Sequence, residues 1–311
     1  MKTDLIYGVE DRPPFKDAIF AALQHLLAIF VAIITPPLII AGALKLDVEK
    51  TSFLVSMSLF ISGISTFIQC KRFGPVGARL LCIQGTSFSF IGPIITTGLM
   101  GGLPLIFGVC MAAAPVEMVI SRTFRYMRNI ITPLVSGIVV LLIGLSLIKV
   151  GVVSCGGGYG AMDNGTFGSW ENLSIAGLVL LSVLFFNRSK NKYLRMSSIV
   201  LGICLGYGLA FALGKVDMSS LNLNLLTSFN IPMPFKYGLD FNISSFIAIG
   251  LVYLITAIEA TGDVTANSMI SGLDIEGEGY VKRVSGGVLA DGFNSFLAGV
   301  FNSFPNSIFA Q

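Results

Sequence analysis

The sequence predicts an all-α polytopic membrane protein, and three observations indicate this fold class. Only 12% of its 311 residues are charged and 54% are hydrophobic, whereas an ordinary soluble domain has about 25% charged residues. Apolar runs of about 20 residues, the length that crosses the hydrocarbon core, recur along the chain. Lys and Arg residues are concentrated in alternate loops between these runs, as in proteins that cross a membrane repeatedly.

Eight predicted spans lie within the chain as far as Glu259, and a ninth begins near Val284. Their apolar runs are residues 18–44, 51–70, 80–116, 129–148, 172–187, 196–214 and 241–258. The run 80–116 is long enough for two spans, and the Gly and Pro residues of 96–104 mark the expected break.

The basic residues predict that the amino terminus lies in the cytoplasm. The amino-terminal segment and the loops after even-numbered spans hold most of them: Lys2, Arg12 and Lys16; Lys71, Arg72 and Arg79; Arg122, Arg125 and Arg128; Arg188, Lys190, Lys192 and Arg195; Lys282 and Arg283. These segments would all lie on the cytoplasmic side under the positive-inside rule.

Two stretches are expected to interrupt their spans as short strands. In TSFSF, residues 86–90, hydroxyl and aromatic residues alternate with the period of a strand. In SFPNS, residues 303–307, the proline removes a backbone donor and favours an extended neighbour. Extended backbone at membrane depth needs hydrogen-bond partners, so we expect the two stretches to pair with each other beside a shared site. Seven spans before Phe241 also suggest an inverted repeat, which many secondary transporters share.

Carboxylates inside the spans are the main candidates for function. Glu259 and Asp263 are four residues apart, so a helix places both on one face, and Gly262 between them leaves room for a ligand. Asp291 interrupts the ninth span. Acidic residues at membrane depth are costly and by default mark substrate or proton pathways. The alternative for the two aspartates is a structural role at a helix end or in an ion pair.

His25 and Glu117 have more ordinary interpretations. His25 is the only histidine, and a neutral histidine hydrogen-bonded between helices is favoured over substrate contact or proton transfer. Glu117 lies near Arg122, Arg125 and Arg128, which predicts a salt bridge. The cysteines lack metal-ligand spacing, so no metal site and no cofactor are expected.

Long segments in one order along the chain carry a family resemblance. They are QHLLAIFVAIITPPLI (24–39), MSLFISGISTFIQ (57–69), GPVGARLLCIQGTSFSF (74–90), RNIITPLVSGIVVLLIGLSLIKVG (128–151), EATGDVTA (259–266) and GGVLADGFNSFLAGVFNSFPNSIFAQ (286–311). Together they resemble the nucleobase–ascorbate transporter family, and most closely its bacterial xanthine and uric acid permeases.

The resemblance implies fourteen spans in two inverted repeats of seven, with short strands in the third and tenth spans. The first repeat would supply a core domain (1–121) and a gate domain (122–240) that forms a homodimer, and 241–311 would begin the second half of the core. The family's signature continues beyond the last residue of this chain. We therefore expect a carboxy-terminally truncated form that does not transport by itself.

The resemblance also implies the substrate-binding residues. Glu259 would hold a purine ring, and the Gln311 amide would contact its other edge. Ser89 falls where xanthine-selective relatives often have Asn, which leaves the choice of purine open. Phe88 or Phe90 could cover the ring face, although packing in the core or against lipid is the commoner role of such an aromatic.

The remaining acidic positions are linked by the resemblance to coupling. Asp263 and Asp291 match acidic residues tied to the transport mechanism, and His25 matches a histidine that supports the site. The expected function is import of xanthine or uric acid across the cytoplasmic membrane by proton symport, with purine, proton and lipid bilayer as partners and no nucleic acid. The alternative is a sulfate- or bicarbonate-type anion transporter of the same fold. No arrangement of nucleophile and base, metal or cofactor motif indicates an enzyme.

Overall fold

The computed structural model of the chain describes residues 7–127, 133–191, 194–195, 197–216 and 230–309. Contacts divide the chain into two units. The first unit comprises Met1–Pro13, Ala32–Leu145 and Pro232–Gln311, and the second comprises Pro14–Val31 and Ser146–Ile231.

Helices make up most of the described residues. In chain order the elements are α1 (Phe15–Ala43), α2 (Val48–Lys71), β1 (Ile83–Thr86), a short 3-10 turn (Phe88–Phe90), α3 (Ile91–Met127), α4 (Pro133–Cys155), α5 (Gly158–Asp163), α6 (Trp170–Asn187), α7 (Ser198–Ala212), α8 (Ile243–Ile270), α9 (Gly277–Val300) and β2 (Asn306–Phe309).

The prediction of a multi-pass membrane protein is confirmed at the level of fold class. By length and composition, five described segments can cross a membrane: Phe15–Ala43, Val48–Lys71, Phe88–Thr123, Trp170–Asn187 and Ile243–Ile270. α7 is a shorter apolar helix. The predicted ninth span corresponds to α9, which begins at Gly277 rather than near Val284.

α3 is interrupted inside the segment where the sequence predicts a break. Its 37 residues would extend about 55 Å as a continuous helix, well beyond the about 30 Å of the hydrocarbon core. Gly102 leaves the helical region, with φ 70° and ψ −162°, a conformation that glycine adopts without steric cost. Pro104 follows two residues later and lacks a backbone donor. The break therefore has a local cause in the sequence GGLP.

Two short strands meet in the first unit. β1 and β2 pair antiparallel, with Ile83 opposite Phe309 and Thr86 opposite Asn306. The Ser87 amide extends the pairing by donating to the carbonyl of Pro305 at 2.9 Å.

These strands differ in position from the predicted ones. Of TSFSF, only Thr86 belongs to β1, because the Ser87 hydroxyl accepts the Ser89 amide and starts a 3-10 turn there. Of SFPNS, only the last two residues belong to β2. Ser303 instead closes the end of α9 by donating its amide to the carbonyl of Ala298 at 2.7 Å.

Side chains of α2 satisfy the outer edge of β1. The Ser62 hydroxyl donates to the carbonyl of Gln84, and the Gln84 amide donates to the Thr66 hydroxyl at 2.9 Å. Both partners lie on α2, on turns that face the strand. Gln84 therefore has no unpaired backbone group, although the described residues form no third strand beside β1.

Side chains of α9 and α2 do the same for β2. The Ser295 hydroxyl donates to the Asn306 carbonyl at 3.1 Å and accepts the Asn306 amide at 3.0 Å. The Asn306 side chain donates to the Ser65 hydroxyl at 2.8 Å, and the Asn294 side chain donates to the Ser65 carbonyl at 3.2 Å. The strand pair is thus held between two helices by hydroxyl and amide groups.

α9 also lies close to α3. A Cβ atom on Gly292 would lie 3.1 Å from the backbone nitrogen of Met118 and 3.2 Å from the Cβ of Glu117. The missing side chain therefore permits the approach of the two helices. The core of this unit is apolar and contains the fully buried rings of Phe90, Phe107, Tyr253 and Phe304.

Basic side chains lie near both ends of α2. At its carboxyl end, a surface cavity of about 420 Å³ is lined by residues that include Arg72, Arg79 and Arg283. Glu10 of the amino-terminal segment pairs with Arg79 there at 2.9 Å. Towards its amino end, the Lys236 ammonium lies 3.8 Å from the centroid of the Phe53 ring. Segments that the sequence assigns to one side of the membrane therefore meet at one end of this unit.

The second unit contains a close pair of apolar helices. Gly202 and Gly206 of α7 face Val179 and Val183 of α6. α6 begins at Trp170 with a cap, because the Ser169 side chain accepts the amide of Asn172. Small residues at such a contact allow two membrane helices to approach closely.

Ser295→Ala is expected to lower the apparent melting temperature of the detergent-solubilised protein. It leaves the Asn306 amide and carbonyl without their partner, and an unpaired buried polar group costs about 1–3 kcal/mol. Ser121→Ala is the matched control, because the buried Ser121 hydroxyl bonds only to the Met118 carbonyl of its own helix. Equal melting temperatures for the two variants would contradict the bridging role of Ser295.

Candidate functional site

Glu259 lies on α8, next to the 3-10 turn that follows β1. The Ser89 hydroxyl donates to Oε2 of Glu259 at 3.1 Å, and both side chains are partly buried. The turn is held by Ser87, whose hydroxyl accepts the Ser89 amide at 3.3 Å. The strand pair thus positions a neutral donor beside a carboxylate that comes from a distant part of the chain.

Asp263 follows Glu259 one turn later on α8, as the spacing predicts. It is partly buried, and among the described residues neither carboxylate forms a salt bridge. Oε1 of Glu259 therefore keeps acceptor capacity for a ligand, since the donor from Ser89 contacts Oε2.

Asp291 lies in the interior of the first unit rather than at a helix end. It belongs to the middle of α9 and its side chain is fully buried. Its side chain lies near those of Glu117 of α3 and Gln84 of β1. Asp291 thus lies where α9 approaches α3 and β1.

Glu117 is not the surface residue that its neighbours in sequence suggest. It is fully buried, whereas Arg122 is exposed, so the salt bridge predicted between them is wrong. The side chains of Arg125 and Arg128 lie outside the described residues. Glu117 instead faces Asp291, together with Thr256 of α8.

The phenylalanines of the 3-10 turn differ in their surroundings. The Phe90 ring is fully buried and packs edge-on against Tyr253, with ring centroids 4.7 Å apart. Phe90 therefore has the core-packing role that the sequence analysis gives as the alternative to contact with a ligand. Phe88 is partly exposed.

Two predicted site residues are not placed beside Glu259 by the structure. Gln311 lies outside the described residues. His25 lies on α1 within the second unit, whereas Glu259, Ser89, Asp263 and Asp291 belong to the first. The candidate site residues that the structure brings together therefore lie on α8, on α9 and on the turn after β1.

Comparison with known proteins decides the family. Residues 16–311 match the model of a family described as Permease family. The chain is 48% identical to "Xanthine permease XanP" of Escherichia coli strain K12 over 320 residues, which is 99% of this chain and 68% of XanP. It is 46% identical to "Xanthine permease XanQ" of the same strain over 322 residues, again 99% and 68%. The chain belongs to the nucleobase–ascorbate transporter family.

A more distant member points to the same class of protein. "Uric acid permease PucJ" of Bacillus subtilis strain 168 is 33% identical over 293 residues, which is 93% of this chain and 64% of PucJ. These relatives are named as permeases, so this member of the family is a transport protein and not an enzyme. The resemblance drawn from the sequence is confirmed.

Sequence reasoning missed two residues of the grouping, Glu117 and Gln84. Glu117 directly follows an apolar segment, AAAPV. An acidic residue so close to the middle of a span is costly unless it has a partner inside the protein, and this could have marked Glu117 as a buried residue. Gln84 directly precedes Gly85 in a run assigned to a span, and a buried amide is rare enough to indicate a contact. Neither feature identifies the partner residue, because both residues lie near parts of the chain that are distant in sequence.

Proposed function

We propose that this chain carries the substrate site of a secondary active transporter that imports a purine nucleobase, xanthine or uric acid, by proton symport. The Ser89–Glu259 hydrogen bond beside the paired strands is the observation that carries this proposal. The sequence identity of this chain to proteins named xanthine and uric acid permeases also supports the proposal.

The chemistry of the site suits a purine dione. Such a ring presents N–H donors beside carbonyl acceptors, and a carboxylate accepts N–H groups in short, charge-assisted hydrogen bonds. Ser89 donates to Oε2 of Glu259, which fixes the carboxylate and directs Oε1 towards the substrate. Phe88 covers one ring face, and the Gln311 amide offers a donor and an acceptor to the opposite edge.

Proton coupling follows from the acidic residues near the substrate. Asp263 lies one turn from Glu259, and Asp291 lies on the neighbouring helix. If protonation and substrate binding favour the same conformation, each increases the affinity for the other by the same factor. His25 supports this site from the first span.

The proposed architecture is the fourteen-span inverted repeat, with the core formed by 1–121 and 241–311 and the gate by 122–240. The antiparallel contact of β1 with β2 supports it, because inverted repeats bring equivalent broken spans together from opposite directions. We place the protein in the cytoplasmic membrane with a cytoplasmic amino terminus, and as a homodimer. The meeting of Arg72, Arg79, Arg283 and Glu10 at one end of the first unit supports this sidedness.

Glu259→Gln is expected to reduce uptake of labelled xanthine by about 10- to 100-fold, because hydrogen bonds to a charged group contribute about 1.5–3 kcal/mol. The measurement uses purine-permease-deficient cells that express the protein, with and without a protonophore. Glu278→Gln is the matched control, since Glu278 is exposed and lies 4.0 Å from Lys282.

Unchanged uptake by Glu259→Gln, at equal amounts of inserted protein, would show that the site is misassigned. Uptake that resists the protonophore would remove proton symport. Inhibition of uptake by sulfate or bicarbonate but not by purines would favour the anion transporter.

Ser89→Ala is expected to weaken xanthine uptake by up to about tenfold, because Glu259 loses the donor that orients its carboxylate. Ser89→Thr keeps the hydroxyl and is expected to retain most activity. Thr96→Ala serves as control, because the exposed Thr96 hydroxyl bonds only to the Gly92 carbonyl of its own helix. The two Ser89 variants are compared by apparent KM for xanthine, and equal values would argue against orientation of Glu259 by this bond.

A further inference from the structure

The surface cavity at the carboxyl end of α2 is lined by three arginines from three segments of the first unit. Arg72 directly follows α2, Arg79 precedes β1, and Arg283 lies in the second turn of α9. The cavity has a volume of about 420 Å³, whereas one water molecule takes up about 30 Å³ in the liquid. It therefore has room for a polar group much larger than water.

Arg72 and Arg283 have no acidic partner, although both are partly buried. Neither forms a salt bridge with a described residue. Nε of Arg72 donates to the Gly74 carbonyl at 3.2 Å. Nη1 of Arg283 donates to the Ser268 hydroxyl at 3.2 Å and to the Asp274 carbonyl at 3.1 Å. These neutral oxygens hold the two guanidinium groups in place but leave their charges uncompensated, whereas charges withdrawn from water are normally paired.

The third arginine shows that the cavity accepts an oxyanion. Nη2 of Arg79 lies 2.9 Å from Oε2 of Glu10, and both side chains are exposed, so this ion pair contributes little to stability. Asp11 also lines the cavity, but its carboxylate accepts an amide of its own segment at 2.6 Å. The two acidic residues of the lining therefore leave the other two arginines available to a further anion.

Exposed aromatic rings beside the cavity indicate what carries that anion. Phe67 lies near the end of α2 and Phe73 directly follows Arg72; both are exposed, and their ring centroids are 5.9 Å apart. α2 can cross a membrane by length and composition, so its end lies where lipid headgroups meet acyl chains. Basic pockets between membrane helices bind anionic headgroups, and a ligand with a phosphate and an apolar chain would contact both the arginines and the rings.

We propose that this cavity binds the phosphate group of an anionic phospholipid, with Arg72 and Arg283 as the residues that hold it. A guanidinium group can donate two parallel hydrogen bonds to phosphate oxygens. One phosphate held by both side chains joins the end of α2 to the start of α9. Glu10 competes with the lipid, because it engages Arg79 in the same cavity. The inference does not depend on which substrate the protein transports.

Native mass spectrometry of the detergent-solubilised protein, titrated with phosphatidylglycerol, tests the site. Arg72→Gln is expected to raise the dissociation constant for this lipid about tenfold, because the phosphate loses charge-assisted hydrogen bonds. Binding of phosphatidylcholine with the same acyl chains is expected to stay unchanged, since its own ammonium group balances its phosphate. Lys282→Gln is the matched control: it removes the same charge from an exposed side chain next to Arg283. Equal dissociation constants for the two variants would overturn the proposal.

Glu10→Gln is expected to have the opposite effect. It removes the competing carboxylate from an exposed ion pair, so the dissociation constant for phosphatidylglycerol is expected to fall about threefold. Glu49→Gln is its control, because Glu49 is exposed and lies in the first turn of α2, at the other end of that helix. An equal change in both variants would show attraction by overall charge instead of binding in the cavity, and would contradict the proposal.

Inorganic phosphate distinguishes a lipid from a free anion. At an equal concentration of phosphate groups it is expected to leave phosphatidylglycerol bound, because it lacks the apolar chain that contacts Phe67 and Phe73. Displacement of the lipid by equimolar inorganic phosphate would overturn the assignment to a phospholipid. All these measurements record lipid binding, so failure of wild-type xanthine uptake would affect the proposed function alone.

Discussion

Backbone groups at membrane depth must find partners inside the protein, and this requirement organises the unit that holds the candidate site. A two-stranded sheet has two unpaired edges, which hydrocarbon cannot satisfy. Here Ser62 and Thr66 of α2 satisfy one edge, and Ser295 of α9 satisfies the other. The strands can therefore exist at this depth only because Ser and Thr residues of the apolar helices bond to their edges.

The anchored strands in turn fix the chemistry around them. Because β1 is held on α2 and paired with β2, the turn after it presents Ser89 to Glu259 on α8. The same strand directs the Gln84 side chain towards Asp291 on α9. Residues of one four-residue strand and its following turn thus contact acidic groups on two different helices. Such an arrangement is a short mechanical connection between Glu259 and Asp291.

Much of the fold could be predicted from the sequence, because membrane spans depend on local composition. The apolar runs, the break near Gly102 and the shared face of Glu259 and Asp263 all follow from residues within one or two turns. The strand boundaries could not be predicted, since the cap made by Ser87 replaces the expected strand by a turn. The salt bridge predicted for Glu117 is wrong for a related reason: the residues near it in sequence are arginines, but the residues near it in space come from α8 and α9.

The acidic residues of the first unit differ in how far they are buried. Glu259 is partly exposed and receives its described hydrogen bond at Oε2 alone, whereas Asp291 is enclosed by protein. A carboxylate that binds a neutral purine gains from remaining charged, and a proton carrier must alternate between charged and neutral forms. One residue cannot satisfy both requirements in the same step without losing its ligand.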